Sequence, residues 1–377
     1  MRVCLVTGEY PPQQGGVGDY TRELAEALRR QGIDVIVLTG CLAGSAPQVE
    51  RRITGWGWRL WSELDRALAE LAPQIVHIQY QAAAYGLHPA INLWPRRSGR
   101  RWPVVVTFHD LRVPYLFPKA GPLRFRCVVE LARGAAQTIV TNLEDQVTIA
   151  PYLRQPPVLI PIGSNIPPVP PAGYDRAAWR AQAGVAEGEV VLAYFGFLNE
   201  SKGGEELVQA LATLRHQGLP VSLWMIGAQV GSSDPTNRAY LARVRGRIAE
   251  LGLEPFVRWT GYMAPHEVSA NLLAADLCVL PYRDGVSFRR GSLLAALAHG
   301  LPVVSTCPRL PLAEVIDGQN MALVPPKDAQ ALAARIAALI ADPAARRRLG
   351  EGARRLAAQF DWTTIAQRTV EVYDALV

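Results

Sequence analysis

Residues 1–28 read MRVCLVTGEYPPQQGGVGDYTRELAEAL. An apolar run from Val3 to Val6 has the composition of a strand buried on both faces, and Gly8 to Pro12 close it with a turn. The paired glycines Gly15 and Gly16 then precede an amphipathic stretch from Gly18 to Arg30, with a helix predicted to begin at Val17 or Gly18. Strand, glycine turn and helix make one βα unit, and the same alternation recurs outward from it. Short runs such as DVIVLTG, IVHIQY, PVVVTFH and TIVTN are separated by helical stretches, which predicts a parallel sheet with crossover helices on both faces. A proline-rich passage, PPVLIPIGSNIPPVPPAGY (156–174), interrupts the pattern. After it the pattern restarts with VVLAYFG, VSLWMIG, VRWTG, LCVLPY and PVVST, again with helices between. The fold class is therefore α/β, with two doubly wound, Rossmann-like domains joined near residues 165–172. The expected boundaries are 1–168 and 169–359, with a last helix over 360–377 that carries apolar positions at Ile365, Val370, Val372, Tyr373 and Leu376.

Composition agrees with two domains: 377 residues, 49% apolar and 19% charged, exceed the size at which one core usually divides. No early segment joins a basic start to a long apolar run, so a cytoplasmic protein is expected. Five cysteines lie scattered without CxxC spacing, which indicates neither a disulfide framework nor a metal cluster. The net charge of +6 is uneven: residues 1–180 carry 20 Lys and Arg against 14 Asp and Glu, and the remainder carries 19 against 19. A basic first half attracts phosphates, nucleic acid or an anionic membrane face.

Four places suit chemistry. Gly15, Gly16 and Val17 stand where a helix start offers unpaired N–H groups and partial positive charge, which suits a phosphate. The same glycines also suit an ordinary tight connection, and the loop is not GxGxxG, so a dinucleotide fingerprint is not supported. His109 and Asp110 end the run VVVTFHD, at the carboxyl edge of a strand, where open α/β sheets bind ligands. His77 in IVHIQY is a weaker candidate and reads equally well as a buried, hydrogen-bonded residue. In YFGFLNESKGGEEL, Gly196 ends a strand and Lys202 precedes a glycine pair and a helix, within reach of a diphosphate. Arg289, Arg290, Gly291 and Ser292 open a further helix. Cations there oppose the helix dipole unless an anionic ligand joins them. HExxH, DxD, CxxC and nucleophile-elbow motifs are absent, as is any recognisable nucleic-acid module, so no metal, cofactor or nucleic-acid partner is expected.

The basic half also contains GWGWRLWSELDRALAEL, which reads as a helix bearing Trp56, Trp58 and Trp61, and WPRRSGRRWP, with Arg96, Arg97, Arg100 and Arg101. Tryptophan with arginine can seat a protein peripherally on an anionic bilayer.

Taken in order, GGVGDY, FHD, IPIGSN, FGFLNESKGGEEL, GLPVVST, AEVIDGQNMALVPPKDAQALA and FDWTTIAQRTVEVYDAL resemble the GT-B retaining glycosyltransferases of family 4, over nearly the whole chain. The resemblance implies two facing Rossmann-like domains with a cleft between them and a last helix crossing back to the first. It places the acceptor mainly on the first domain and a nucleotide-sugar co-substrate mainly on the second. It further implies transfer to a hydroxyl of a sugar, lipid-linked or small-molecule acceptor, with retention and without a divalent metal, in glycan, glycolipid or polysaccharide biosynthesis. Gly15, Gly16 and Val17 correspond to the loop facing the donor, His109 to the histidine beside the transferred sugar, and Lys202 to the lysine that neutralises the diphosphate. Three positions depart from the family pattern. Phe197 replaces an arginine, and Ser287 and Ala295 replace two glutamates, one near the sugar and one on the ribose. Arg289 and Arg290 are the candidates to restore positive charge, Asp284 to meet sugar hydroxyls, and Ser292 to meet the ribose. The departures also leave a reading as a non-catalytic, nucleotide- or partner-binding relative.

Overall fold

A computed structural model describes residues 1–13, 15–98, 101–111, 121–229 and 235–377. Arg100, one of the four clustered arginines, lies outside the described residues. The chain forms two compact units, Met1–Asn165 with Phe360–Val377, and Ile166–Gln359.

The first unit contains β1 (Arg2–Thr7), α1 (Gly16–Arg30), β2 (Asp34–Gly40), β3 (Val49–Ile53), α2 (Leu60–Leu71), β4 (Ile75–Tyr80), α3 (Ala90–Ser98), β5 (Val104–Phe108), α4 (Gly121–Gly134), β6 (Gln137–Val140), α5 (Leu143–Ile149) and β7 (Val158–Leu159). Its sheet is parallel in the order β3-β2-β1-β4-β5-β6-β7. Successive side chains of β1 enter different cores: Cys4 and Val6 pack with α2 and α3, whereas Val3 and Leu5 pack with α1. Burial on both faces is why the strand reads as one apolar run rather than an alternation. On α1, Tyr20, Leu24 and Leu28 recur at one-turn spacing and are buried.

The second unit contains α6 (Arg176–Gln182), β8 (Val190–Phe195), α7 (Gly204–His216), β9 (Val221–Ile226), α8 (Pro235–Glu250), β10 (Val257–Gly261), α9 (Pro265–Ala274), β11 (Leu277–Leu280), α10 (Gly291–Ala298), β12 (Val303–Thr306), β13 (Ala322–Val324), α11 (Ala329–Ala341) and α12 (Pro343–Ala357). Its parallel sheet has the order β10-β9-β8-β11-β12-β13.

The last helix, α13 (Trp362–Asp374), belongs to the first unit and packs beside α1. Asp361 starts it by accepting from the Thr363 N–H at 2.8 Å, a cap worth about 1 kcal/mol. Trp362 Nε1 donates to Ser164 O at 2.8 Å, and Ile365, Ala366, Val372 and Tyr373 complete the core that Val3 and Leu5 enter. His77 is fully buried there. Its Nδ1 lies 2.5 Å from Tyr373 Oη and its Nε2 lies 2.7 Å from Thr107 Oγ1, so of its two readings the hydrogen-bonded core residue is the one realised.

The three tryptophans expected on one helix are not on one helix. α2 begins only at Leu60, because Gly55 and Gly57 around Trp56 are poor helix formers. Trp56 packs edge-on against Tyr85, and Trp61 donates its Nε1 to Ala90 O at 2.8 Å. Trp58 alone of the three is mostly exposed, at 54%.

Candidate functional site

In the second unit, β8 is the strand from which the order runs both ways, to β9 on one side and β11 on the other. Ligands of open α/β sheets bind outside the carboxyl ends of the strands at such a reversal. The loops that leave β8 and β11 carry Gly196, Lys202, Asp284, Ser287, Arg289 and Arg290, and α10 begins with Gly291 and Ser292. The topology therefore gathers most of the residues singled out from sequence.

A Cβ on Gly196 would stand 3.2 Å from Lys202 Nζ and 3.6 Å from Ser292 Cβ, which brings these three residues together. Lys202 closes a short 3-10 turn, Glu200–Lys202, and Gly203 follows with φ +70°. A Cβ at Gly203 would fall 2.0 Å from Pro281 O, so the two loops approach closely only because this residue is glycine. Among the described residues, no hydrogen bond or ion pair engages the Lys202 ammonium. Burial lowers its pKa to about 7, and the Arg290 guanidinium pushes the same way.

Tyr282 Oη and Ser292 Oγ are hydrogen-bonded at 2.9 Å, and the Arg290 guanidinium lies over the Tyr282 ring at 4.6 Å. The Asp284 carboxylate sits between two arginines: Arg290 Nη2 reaches both its oxygens at 2.6 and 2.7 Å, and Arg289 Nη2 reaches one at 2.9 Å. Arg290 Nε is buried and has no hydrogen-bond partner among the described residues. Two guanidiniums and one carboxylate leave this group one positive charge, and Lys202 adds up to one more. Ser287 is buried and accepts from the Arg289 N–H at 3.5 Å, while Ala295, in the middle of α10, is completely buried. Phe197 exposes 43% of its surface.

Arg283 ties the two loops to one helix start. Its three nitrogens reach Glu206 at 2.7 Å, Glu205 at 2.8 Å and Glu200 at 3.2 Å. The acids of GGEEL thus anchor a neighbouring loop.

In the first unit, the start of α1 is already engaged. Glu9 Oε1 accepts from the N–H groups of Val17 at 3.0 Å and Gly18 at 3.2 Å. A Cβ on Gly15 would fall 2.1 Å from that oxygen, so glycine leaves room for the carboxylate, while among the described residues nothing lies within 4 Å of a Cβ on Gly16. Burial raises the Glu9 pKa. At the end of β5, His109 Nε2 lies 2.9 Å from Gln79 Oε1, so Nε2 carries the ring proton. Burial lowers the His109 pKa to about 3, which keeps the ring neutral. Gln79 is fully buried, and its Nε2 has no partner among the described residues.

Residues 175–356 match the profile Glycosyl transferases group 1, and residues 14–163 match Glycosyltransferase Family 4. A D-inositol 3-phosphate glycosyltransferase of Corynebacterium aurimucosum is 30% identical over 99% of this chain and 96% of its own length. The chain belongs to this glycosyltransferase family. Glycogen synthase of Mycobacterium tuberculosis is 27% identical over 99% of the chain and 94% of its own length. Among solved structures, Anabaena Alr3699/HepE in complex with UDP-glucose superposes with a TM-score of 0.78 at 22% identity, covering all of both chains, which shows the GT-B fold.

The protein is thus a nucleotide-sugar-dependent glycosyltransferase of the GT-B type. For the transferase, the second unit supplies cations, a helix start and a hydroxyl pair at one place, a set able to stabilise a leaving diphosphate. Among the described residues, no group of His, Cys, Asp and Glu is arranged to hold a metal ion, and no helix is long and apolar enough to cross a membrane. The structure adds Glu9, Gln79, Tyr282 and Arg283 to the residues expected from sequence. Gln79 had a signal, since it lies two residues after His77 on the same face of β4. Glu9 and Arg283 had none, because Glu9 folds back on the helix start that follows its own loop and Arg283 reaches into another loop.

Proposed function

We propose that the enzyme moves a sugar from a UDP-sugar to an acceptor hydroxyl with retention of configuration, without a divalent metal. The observation that carries the reading is the Lys202 ammonium, unengaged among the described residues and close to Arg290, where the strand order of the second unit reverses. Lys202, Arg290 and the start of α10 at Gly291 and Ser292 receive the diphosphate, and Gly196 leaves space beside the lysine. Asp284 holds the two guanidiniums in place, a role that leaves less of its carboxylate for sugar hydroxyls. With a buried alanine at position 295, the ribose falls to Ser287, Ser292 and backbone groups. As the leaving phosphate gains charge, its oxygen takes the proton from the attacking acceptor hydroxyl. Within the first unit, His109 is the proposed contact for the sugar, and the loop Gly15–Val17 can join it only where Glu9 leaves the helix start free. UDP is favoured because the similar Anabaena protein was solved with UDP-glucose.

A thermal-shift series with UDP, GDP and ADP, followed by product analysis in excess chelator, tests this reading. UDP is expected to raise the melting temperature most, Lys202→Met and Arg290→Ala to abolish the rise, and transfer to persist without metal. Full dependence on an added metal would overturn the mechanism. Contact with an anionic membrane face falls to Trp58 with Arg97 and Arg101, since Trp56 and Trp61 are committed to packing. Cosedimentation with anionic vesicles, lost in Trp58→Ala, is the corresponding check.

A further inference from the structure

Beyond the ends of β4 and β5, the first unit contains a cavity of about 190 Å³ whose walls include Tyr80, Leu87, Pro89, Leu111, Leu123 and Val128. Its surface is mostly carbon. Tyr80 is a fixed wall: its hydroxyl accepts from Asn92 Nδ2 at 2.8 Å, and its ring meets Phe108 edge-on at 5.4 Å and stacks on Tyr85 at 5.8 Å. The space is therefore preformed. Asp110, the residue after His109, and Arg124 also border it, so charged groups adjoin the apolar walls.

We propose that this cavity receives a ring-sized apolar part of the acceptor, so that the acceptor is an amphipathic alcohol carrying one aromatic or alicyclic ring. The inference rests on the sugar-transfer reading above and adds the acceptor class. Size decides between occupants: an apolar cavity of about 150 Å³ takes benzene, so this one takes a six-membered ring with a substituent and not an extended lipid chain. Position agrees, because the cavity lies at the carboxyl edge of the sheet and Asp110 joins it directly to His109. A bare sugar would leave the apolar walls unmatched.

Cys127 also lines the cavity and supplies a reporter that does not depend on sugar transfer. In Cys41→Ser/Cys307→Ser protein, whose remaining Cys4 and Cys278 are buried, labelling of Cys127 by N-ethylmaleimide is followed with phenyl, methyl and octyl glucosides. Phenyl glucoside is expected to slow labelling at concentrations where methyl glucoside does not. In transfer assays, the KM of the phenyl acceptor is expected to lie about tenfold below that of the methyl one. Val128→Trp, or Leu123→Trp at the exposed mouth should the first variant fail to fold, is expected to bring the ratio close to one. Equal protection by phenyl and methyl glucosides overturns the proposal, as does an octyl glucoside that protects far better than the phenyl one. Protection of Cys127 without transfer to any acceptor supports the cavity while counting against the transfer reading.

Discussion

The rings of Tyr20 and His109 meet edge to face, with centroids 4.5 Å apart and planes at 72°. On its other side Tyr20 meets Trp362, the first residue of α13, with centroids 5.1 Å apart. A residue of α1 thus lies between the histidine at the end of β5 and the last helix of the chain. Tyr20→Phe keeps the ring and is expected to change stability by less than about 1 kcal/mol. Tyr20→Ala opens a cavity in a buried aromatic cluster and is expected to cost about 3–5 kcal/mol in urea unfolding. Loss of support for His109 is expected to lower kcat by up to about 100-fold at temperatures where the variant stays folded.

His77 and His109 each have a pKa near 3, lowered from 6.5 because burial penalises the charged ring. Between these values the unfolded chain binds protons that the folded chain refuses, so stability falls as pH drops from 6.5 toward 3. Urea midpoints measured at pH 7, 6 and 5 are expected to fall, and His77→Gln to reduce the slope. Gln79→Glu places a carboxylate beside His109 Nε2, which favours the imidazolium and raises its pKa. A new ionisation in the pH–kcat profile between pH 5 and 8, absent from the wild type, is the expected signature.

Lys202 ionises near 7 in the free enzyme, so at pH 8 most molecules hold it neutral. A bound diphosphate stabilises the ammonium and returns the pKa toward 10.5, so binding takes up a proton. Calorimetry of UDP binding at pH 8, in buffers of different ionisation enthalpy, is expected to show uptake approaching one proton. Lys202→Met is expected to show none. The kcat/KM for the donor is expected to fall as pH rises above 7, because the unprotonated lysine must first capture that proton.

Glu9 closes the start of α1 from within the first unit. Glu9→Ala leaves the N–H groups of Val17 and Gly18 without their acceptor and is expected to cost about 1–2 kcal/mol in thermal or urea unfolding. Glu9→Gln keeps an acceptor oxygen and is expected to recover most of that loss. Equal losses in the two variants would show that charge, rather than hydrogen bonding, holds the loop.

The interior strands were legible in sequence because parallel strands buried on both faces, such as β1, β4 and β9, read as apolar runs. Those missed were β3 (VERRI), β7 (VL) and β13 (ALV), all at sheet edges. An edge strand such as β3 can expose charged side chains, and a two- or three-residue strand has no period to detect. Lys202, Arg289 and Arg290 were legible because each precedes a helix start at a strand exit. The clamp of Asp284 between two guanidiniums was not, since charges five or six residues apart in a loop announce no partner. The substitution of Ala295 for a family glutamate was visible only through resemblance, as composition treats an alanine in a helix as ordinary.

Because α13 completes the core of the first unit, the order of protein synthesis bears on how that core closes. Residues 1–165 leave the ribosome long before Ile365 and Tyr373 exist, and the whole second unit is translated in between. Through that interval His77 Nδ1 lacks the Tyr373 hydroxyl, and the apolar surface shared by α1 and β1 lacks its cover. The nascent first unit therefore lacks part of one of its cores until α13 has been translated, and chaperones have their window on that surface before the helix docks.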